Sequence, residues 1–355
     1  MIGVSVGSII WFFLFGNTDW PEVFGAIRSA NLACLLLAQI SAWSTHFVRI
    51  KRWSYIVRAS QAAKFRNLLS STQIGFLVNF TIPARVGELV RSAILSKLEN
   101  VPFTKSLSMV ALDRISDMLG LMPVLLFVSV LLPSQLDWRI PAEVLGNNEP
   151  IVLSTDLLHY AAILSALALV GCIGLLWLMY INSTIGLRIL EYLSRPLPLN
   201  AGSWIKRQFT HFISGIRVFG STGALMKIFL LSILIWGLSA LSLAAIMAAF
   251  SISYSLTAPF VMLVMIALFI SFPVVPAAVG QYHLAVIASL MLTCPDTDIE
   301  IMKAMGIVSH IWALIPIYVL GIFCLIHSNI NFFNIFRMSE VASPHDDGIS
   351  GNADG

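Results

Sequence analysis

Eight apolar stretches follow one another along the 355 residues, and two of them are broken near their centres by proline and glycine. Crossing a hydrocarbon core of ~30 Å takes roughly 20 apolar residues in a helix. Six stretches approach that length unbroken, at about 2–16, 31–48, 106–132, 157–182, 226–250 and 303–327. The other two, about 67–96 and 258–293, carry Pro83 with Gly87 and Pro276 with Gly280. Proline removes a backbone donor and clashes with the preceding helical turn. Each broken stretch therefore suits a re-entrant helical hairpin, one that turns back inside the membrane, better than a continuous helix.

Apolar residues make up 58% of the chain and charged residues 11%, with a mean hydropathy of +0.87. Soluble domains run at about 45–50% and 25%. These values imply a single all-α polytopic membrane domain over 1–330, followed by a polar, acidic tail at 331–355 that is expected to be disordered and cytoplasmic. The first stretch has neither a basic leader nor a small-residue cleavage pattern, so it reads as a retained span. Cys34, Cys172, Cys294 and Cys324 are widely spaced and fit core packing better than a metal or redox pair.

With the amino terminus inside, the inner loops take 15 of the 21 basic residues: those from Arg49 to Arg66, Lys97, Lys105, the six from Arg188 to Lys227, and Arg337. The intervening outer loops, 137–156 and 296–300, are acidic. By the positive-inside rule both termini face the cytoplasm. The 183–227 loop interleaves basic and apolar residues, as either a helix lying on the anionic inner leaflet or an ordinary amphipathic connector would.

The two breaks resemble each other. PARVGE at 83–88 and PAAVGQ at 276–281 share four of six residues at an offset of 193. The same offset carries 31–48 onto 224–241 and 106–132 onto 299–325, close to spans drawn independently. Each half then reads as span, span, hairpin, span, with repeat one at about 1–135 and repeat two at about 155–330. Three crossings is an odd number, so the second half is expected to enter inverted. The expected fold is six transmembrane helices plus two opposed re-entrant hairpins whose tips, Pro83, Gly87, Pro276 and Gly280, meet near the midplane. That layout is associated with sites formed between repeats in secondary transporters.

The first hairpin and the span after it hold Arg85, Glu88, Arg91, Asp113, Arg114 and Asp117. Each charge at a helix centre costs about 2.5–3.5 kcal/mol by insertion scales, so six unpaired ones would cost about 15–20 kcal/mol. They must pair with one another, line a wet cavity, or both. Asp113 and Asp117 share one helix face. The free N–H groups of the helix starting after Gly87 favour an anion, and arginine suits bidentate phosphate binding. A membrane lipid with a phosphate head group is the expected ligand. The matching positions of the second half are nearly neutral. Gln281, His283 and His310 form a polar set there that serves either as helix-to-helix hydrogen-bond partners or as a proton relay.

NFTIPARVGELVRSAIL, SLSMVALDRISDMLGL and FPVVPAAVGQYHLAVIASL together resemble the lysylphosphatidylglycerol synthase transmembrane-region family, a flippase-like family. Its proline, arginine, Gly-Glu, arginine pattern falls on Pro83, Arg85, Gly87, Glu88 and Arg91. Its acidic-Arg-x-x-Asp pattern falls on Asp113, Arg114 and Asp117. The third block departs from the pattern. Where members typically carry Pro-Gly-Gly-x-Gly and a glutamate, this chain has Pro276, Ala277, Ala278, Val279, Gly280 and then Gln281. Alanine restricts the backbone relative to glycine there.

The resemblance implies lipid translocation without lipid synthesis. The expected function is flipping of an anionic phospholipid or polyprenyl-linked lipid between leaflets of the inner membrane. Two other classes stay open: an accessory subunit of a lipid-modifying or glycosyl-transferase system, and a membrane-embedded lipid transferase. No HExxH or Walker sequence occurs, so no enzyme activity, cofactor, metal or nucleic-acid partner is expected, although a lipid-synthesising enzyme is a possible partner.

Overall fold

The computed structural model describes residues 2–82, 86–131, 138–140, 151–153, scattered positions between 160 and 181, 199–215, 220–271 and 275–328. Pro83 and Arg85, the tail at 331–355 and residues 183–198 lie outside the described residues, and the expected 157–182 span is described only in part.

Short polar side chains and helix breakers set the helix ends. After α1 (Ile2–Phe15), Asp19 caps α2 (Trp20–Ser29), which has a proline in its first turn. Asn31 caps α3 (Leu32–Arg58), its side-chain oxygen accepting from the N–H groups of Ala33 and Cys34. Such acceptors satisfy N–H groups that have no partner within the helix. The α2–α3 pair bends by 83°. α2 corresponds to none of the apolar stretches, because its ten half-polar residues show no span-length apolar run. α3 runs ten residues past the expected end at 48, so Arg49 and Arg52, assigned above to an inner loop, lie inside a helix instead.

The first broken stretch forms α4 (Phe65–Thr81) and α5 (Gly87–Glu99), followed by α6 (Phe103–Leu131). Further on come α7 (Leu199–Gly215) and α8 (Thr222–Ala249). The second broken stretch forms α9 (Ala258–Ser271), a 3-10 turn at Pro276–Ala278 and α10 (Gln281–Thr293), and α11 (Ile299–His327) closes the described fold. The only β structure among the described residues is a ribbon pairing Trp138–Ile140 with Ile151–Leu153.

Three of these segments, Thr222–Ala249, Pro276–Thr293 and Ile299–His327, are long and apolar enough to cross a membrane, and the bent α2–α3 pair makes a fourth. Met226, Leu230, Ile233, Leu234 and Leu241 stay exposed along α8, as do Val319, Ile322, Phe323 and Ile326 on α11. The spacing of three and four within each set makes one apolar stripe per helix, suited to lipid. The molecule is an all-α, multi-pass membrane protein.

The 193-residue offset recurs in the helix bounds. Adding it to α4 gives 258–274 against Ala258–Ser271, and adding it to α5 gives 280–292 against Gln281–Thr293. For α6 it gives 296–324 against Ile299–His327, and it superposes the interior prolines Pro123 and Pro316. It carries α3 onto 225–251, near α8. These two helices pack along each other in opposite directions. Arg52 meets Ser232, Ser41 donates to the carbonyl of Leu238, and Ser242 donates to that of Ala38.

Small residues let the hairpin arms touch. A methyl group on Gly87 would stand 2.1 Å from the carbonyl oxygen of Gly75, and one on Gly75 would stand 2.8 Å from Cβ of Arg91. Gly87→Ala is therefore expected to cost about 1–3 kcal/mol by overpacking. Gly25→Ala, which would meet nothing within 4 Å and should gain up to about 1 kcal/mol of helix propensity, serves as the clash-free comparison in a thermal-unfolding assay.

In the second hairpin, Ala277 and Ala278 adopt φ of 51° and 56°, and Gly280 adopts 85°. Alanine restricts this backbone relative to glycine, and both alanines are held in the left-handed conformation all the same. That conformation costs an L-residue about 1–2 kcal/mol. Ala277→Gly and Ala278→Gly would each relieve the strain while adding about 0.4–1 kcal/mol of unfolded-state entropy. Each is expected to raise stability by up to about 1 kcal/mol, read as a higher melting temperature. The turn rests on α4 and on α1, where Gly7 admits Val275 and Gly280 admits Ile10.

Candidate functional site

Three helices bring seven described charged side chains together. Arg49 and Arg52 are three apart on α3 and so share a face, α5 supplies Glu88 and Arg91, and α6 supplies Asp113, Arg114 and Asp117. Arg52 is 0% exposed and lies 2.8 Å from both Asp113 and Asp117. Its Nε and Nη2 both donate to Oδ1 of Asp113, and its Nη1 donates to the hydroxyl of Ser232. Arg91, 1% exposed, donates to Oδ2 of Asp113 at 2.7 Å. Its guanidinium lies 4.0 Å from the centre of the buried Trp53 ring. These residues form a closed half, in which each buried ion keeps a counter-ion and the desolvation cost is offset.

The other half is open. Arg49 donates to Asp117 at 2.8 Å. Arg114, 35% exposed, has looser contacts: 3.5 Å to Glu88, 3.4 Å to Asp113 and 3.3 Å to Asp117. Arg49, Glu88, Arg114 and Asp117 line a cavity of about 480 Å³, while Arg52, Arg91 and Asp113 do not. Four arginines face three carboxylates, an excess of one positive charge among the described side chains.

The cavity runs from this ionic end to the second hairpin, where Ala278, Gln281, Tyr282 and His310 line it, and apolar residues of α8 and α9 wall the path between. His310 bonds the carbonyl of Ala277 through Nε2 at 2.9 Å and stacks on Tyr282 with ring centres 4.7 Å apart. The Nδ1 of His283 accepts from the N–H of Gly280 at 3.3 Å, and its ring stands edge-on to Trp11 and His310. Both histidines are thus engaged with the hairpin turn.

Several partners escaped the sequence reading. Arg49 and Arg52 were missed because hydropathy ended their span at 48; their three-residue spacing was the available signal. Asn79 was quoted but not singled out. Its Oδ1 accepts from the N–H of Gly87 at 2.8 Å and its Nδ2 donates to Glu88 at 3.2 Å. This revises the expectation that the start of α5 offers free N–H groups to an anion, since one of them is occupied by a side chain from the facing arm. Trp236 donates to the carbonyl of Asp117 at 2.8 Å, and His46 pairs with Gln73 at 3.2 Å beside the same cavity. No cluster of His, Cys, Asp or Glu that could hold a metal ion occurs among the described residues.

A protein-family model described as "Lysylphosphatidylglycerol synthase TM region" matches residues 1–321. No curated protein matches the chain.

Proposed function

The chain belongs to the lysylphosphatidylglycerol synthase TM-region family, and from that premise we propose that it moves an anionic phospholipid or polyprenyl-linked lipid between the leaflets of the inner membrane. The observation that carries this reading is the open half of the ion cluster. From a cluster of four arginines and three carboxylates, Arg49 and the loosely held Arg114 face a cavity, beside Glu88 and Asp117, whose remaining walls are largely apolar. A phosphate there meets Arg114 and Arg49 as charge-assisted donors, and arginine's fork suits two of its oxygens at once. Glu88 and Asp117 hold Arg114 loosely until the phosphate takes their place. Arg91 and Asp113 act behind them by fixing the positions of α5 and α6, and Arg85 adds positive charge to the same hairpin.

In this reading the chain forms six spans with both termini cytoplasmic. The α4–α5 and α9–α10 pairs are opposed re-entrant hairpins of an inverted repeat, a reading supported by the antiparallel packing of α3 on α8. The head group crosses between the hairpin tips while its acyl chains stay in the bilayer. Gln281, His283 and His310 hold the neutral tip. The chain acts without making or breaking a covalent bond, and a lipid-synthesising enzyme supplies its substrate.

Reconstitution tests this directly. Liposomes containing the purified protein should expose fluorophore-labelled anionic lipid from the inner leaflet to an external quencher faster than protein-free liposomes do. Equal rates with and without protein, for both phosphatidylglycerol and a polyprenyl phosphate, would remove the proposal's basis.

A further inference from the structure

Arg52 and Arg91 are buried alike and satisfied very differently. Arg52 donates from all three of its nitrogens. Arg91 donates from Nη1 to Asp113, while its Nε and Nη2 are buried without a partner among the described residues. Those two nitrogens form the side-on edge of the guanidinium, which can grip an anion through two N–H bonds. The indole N–H of Trp53, whose ring the same guanidinium covers at 4.0 Å, is also buried without an acceptor. Leaving buried donors unmade is costly, so three of them in one stacked pair of side chains call for an acceptor.

The carboxylates of the cluster do not supply it. Asp113 is shared by Arg52, Arg91 and Arg114, and Asp117 by Arg49, Arg52 and Arg114. Glu88, one turn before Arg91 on α5, is held at the cavity by Asn79 and Arg114. Charge leads to the same place. At the cavity Arg49 and Arg114 balance Glu88 and Asp117, which leaves Arg52 and Arg91 against Asp113 in the closed half, a surplus of one positive charge among the described side chains. A water molecule would accept two of these bonds, but it would bring two hydrogens needing acceptors of their own and leave the charge uncompensated. A monovalent anion accepts and neutralises together. Trp53, Met109 and Leu95, the last one turn on from Arg91, are 0% exposed and pack in one core cluster, so the anion must be small.

We propose that the closed half holds a chloride ion on Nε and Nη2 of Arg91, beside the indole N–H of Trp53. The ion is the fourth counter-ion of the cluster, matching four arginines to four negative charges. Arg114 touches Asp113 and lines the cavity, which marks the way in. This goes beyond the head-group reading and does not depend on it, since neither Arg91 nor Trp53 lines the cavity.

The test is thermal unfolding of the full chain in detergent at constant ionic strength, with chloride, bromide, iodide or gluconate as the only anion. Chloride and bromide should raise the melting temperature above its value in gluconate by on the order of 2 °C, and the rise should grow with the logarithm of their concentration. Iodide, the largest halide of the three, should not. Trp53→Phe keeps an aromatic ring under Arg91 and removes the N–H, and Arg91→Lys keeps the charge at Asp113 and removes the side-on edge. Measured against each variant's own value in gluconate, the chloride shift should shrink in the first and vanish in the second. In crystals grown with bromide, anomalous scattering should mark an ion in contact with Nε and Nη2 of Arg91.

Equal melting temperatures in all four anions would overturn the assignment, as would a chloride shift that persists undiminished in Arg91→Lys. Iodide stabilising as much as chloride would replace the close-fitting site with a general effect of salt. A bromide signal only at exposed lysines, or a water without anomalous signal beside Arg91, would also overturn it. The crystallographic arm needs neither variant, so it decides the matter even if both fail to fold.

Discussion

Arg52→Ala is expected to leave the protein unable to hold its fold, with a loss of about 3–5 kcal/mol, because two carboxylates lose their shared buried counter-ion. Arg52 has no exposed surface and touches Asp113 and Asp117 at 2.8 Å, so the bonds it makes join α3 to α6, and through Ser232 to α8. Marginal stability makes a loss of that size decisive. Fluorescence-detected size exclusion after mild heating should show the variant aggregating where the parent stays monodisperse. Pairing Arg52→Met with Asp113→Leu should recover only part of the loss, since Asp113 also neutralises Arg91. If Arg52→Ala melted within a degree or two of the parent, the closed half of the cluster would not be what joins these helices.

Arg114→Ala should show the opposite profile, an intact fold with transport slowed about 10- to 100-fold. The side chain is 35% exposed and its contacts are the longest in the cluster, at 3.3 to 3.5 Å. Without it, Asp113 keeps Arg52 and Arg91, Asp117 keeps Arg49 and Arg52, and Glu88 keeps Asn79. The lost charge-assisted bonds to phosphate are worth about 1.5–3 kcal/mol, which sets the range. Lysine at this position restores the charge without the fork, so partial recovery is expected. Unchanged transport by a well-folded Arg114→Ala protein would place the phosphate elsewhere.

The two helix breaks could be read in advance because proline and glycine act locally. Proline followed four residues on by glycine, as at Pro83 with Gly87 and Pro276 with Gly280, marks a break where the lone Pro123 and Pro316 do not, and the observed arms begin and end within a few residues of the broken stretches. Charge partnership is a different matter. That Asp113 and Asp117 share a face follows from spacing, but their shared partner, Arg52, comes from a helix some sixty residues earlier. Average hydropathy had removed it from the membrane, since it scores a residue's cost in lipid and ignores a counter-ion on a neighbouring helix. Asn79 illustrates the same limit. Its cap on Gly87 exists only because α4 and α5 touch at Gly75, a contact between arms that no local pattern encodes. The left-handed alanines also lay beyond reach, because the strain is imposed by the packing of the turn on α1 and α4.

The stacking of Arg91 on Trp53 also gives the molecule an optical property. Trp53 is fully buried among apolar side chains with a fixed cation 4.0 Å from its ring centre, so its emission should be blue-shifted and out of reach of iodide. Trp236, whose indole N–H rests on Asp117 beside the cavity, sits where a ligand would change its surroundings. With the other tryptophans replaced by phenylalanine, the chain would carry its own internal standard next to its own sensor. Quenching that changes at one and stays constant at the other would then distinguish ligand entry from loosening of the protein.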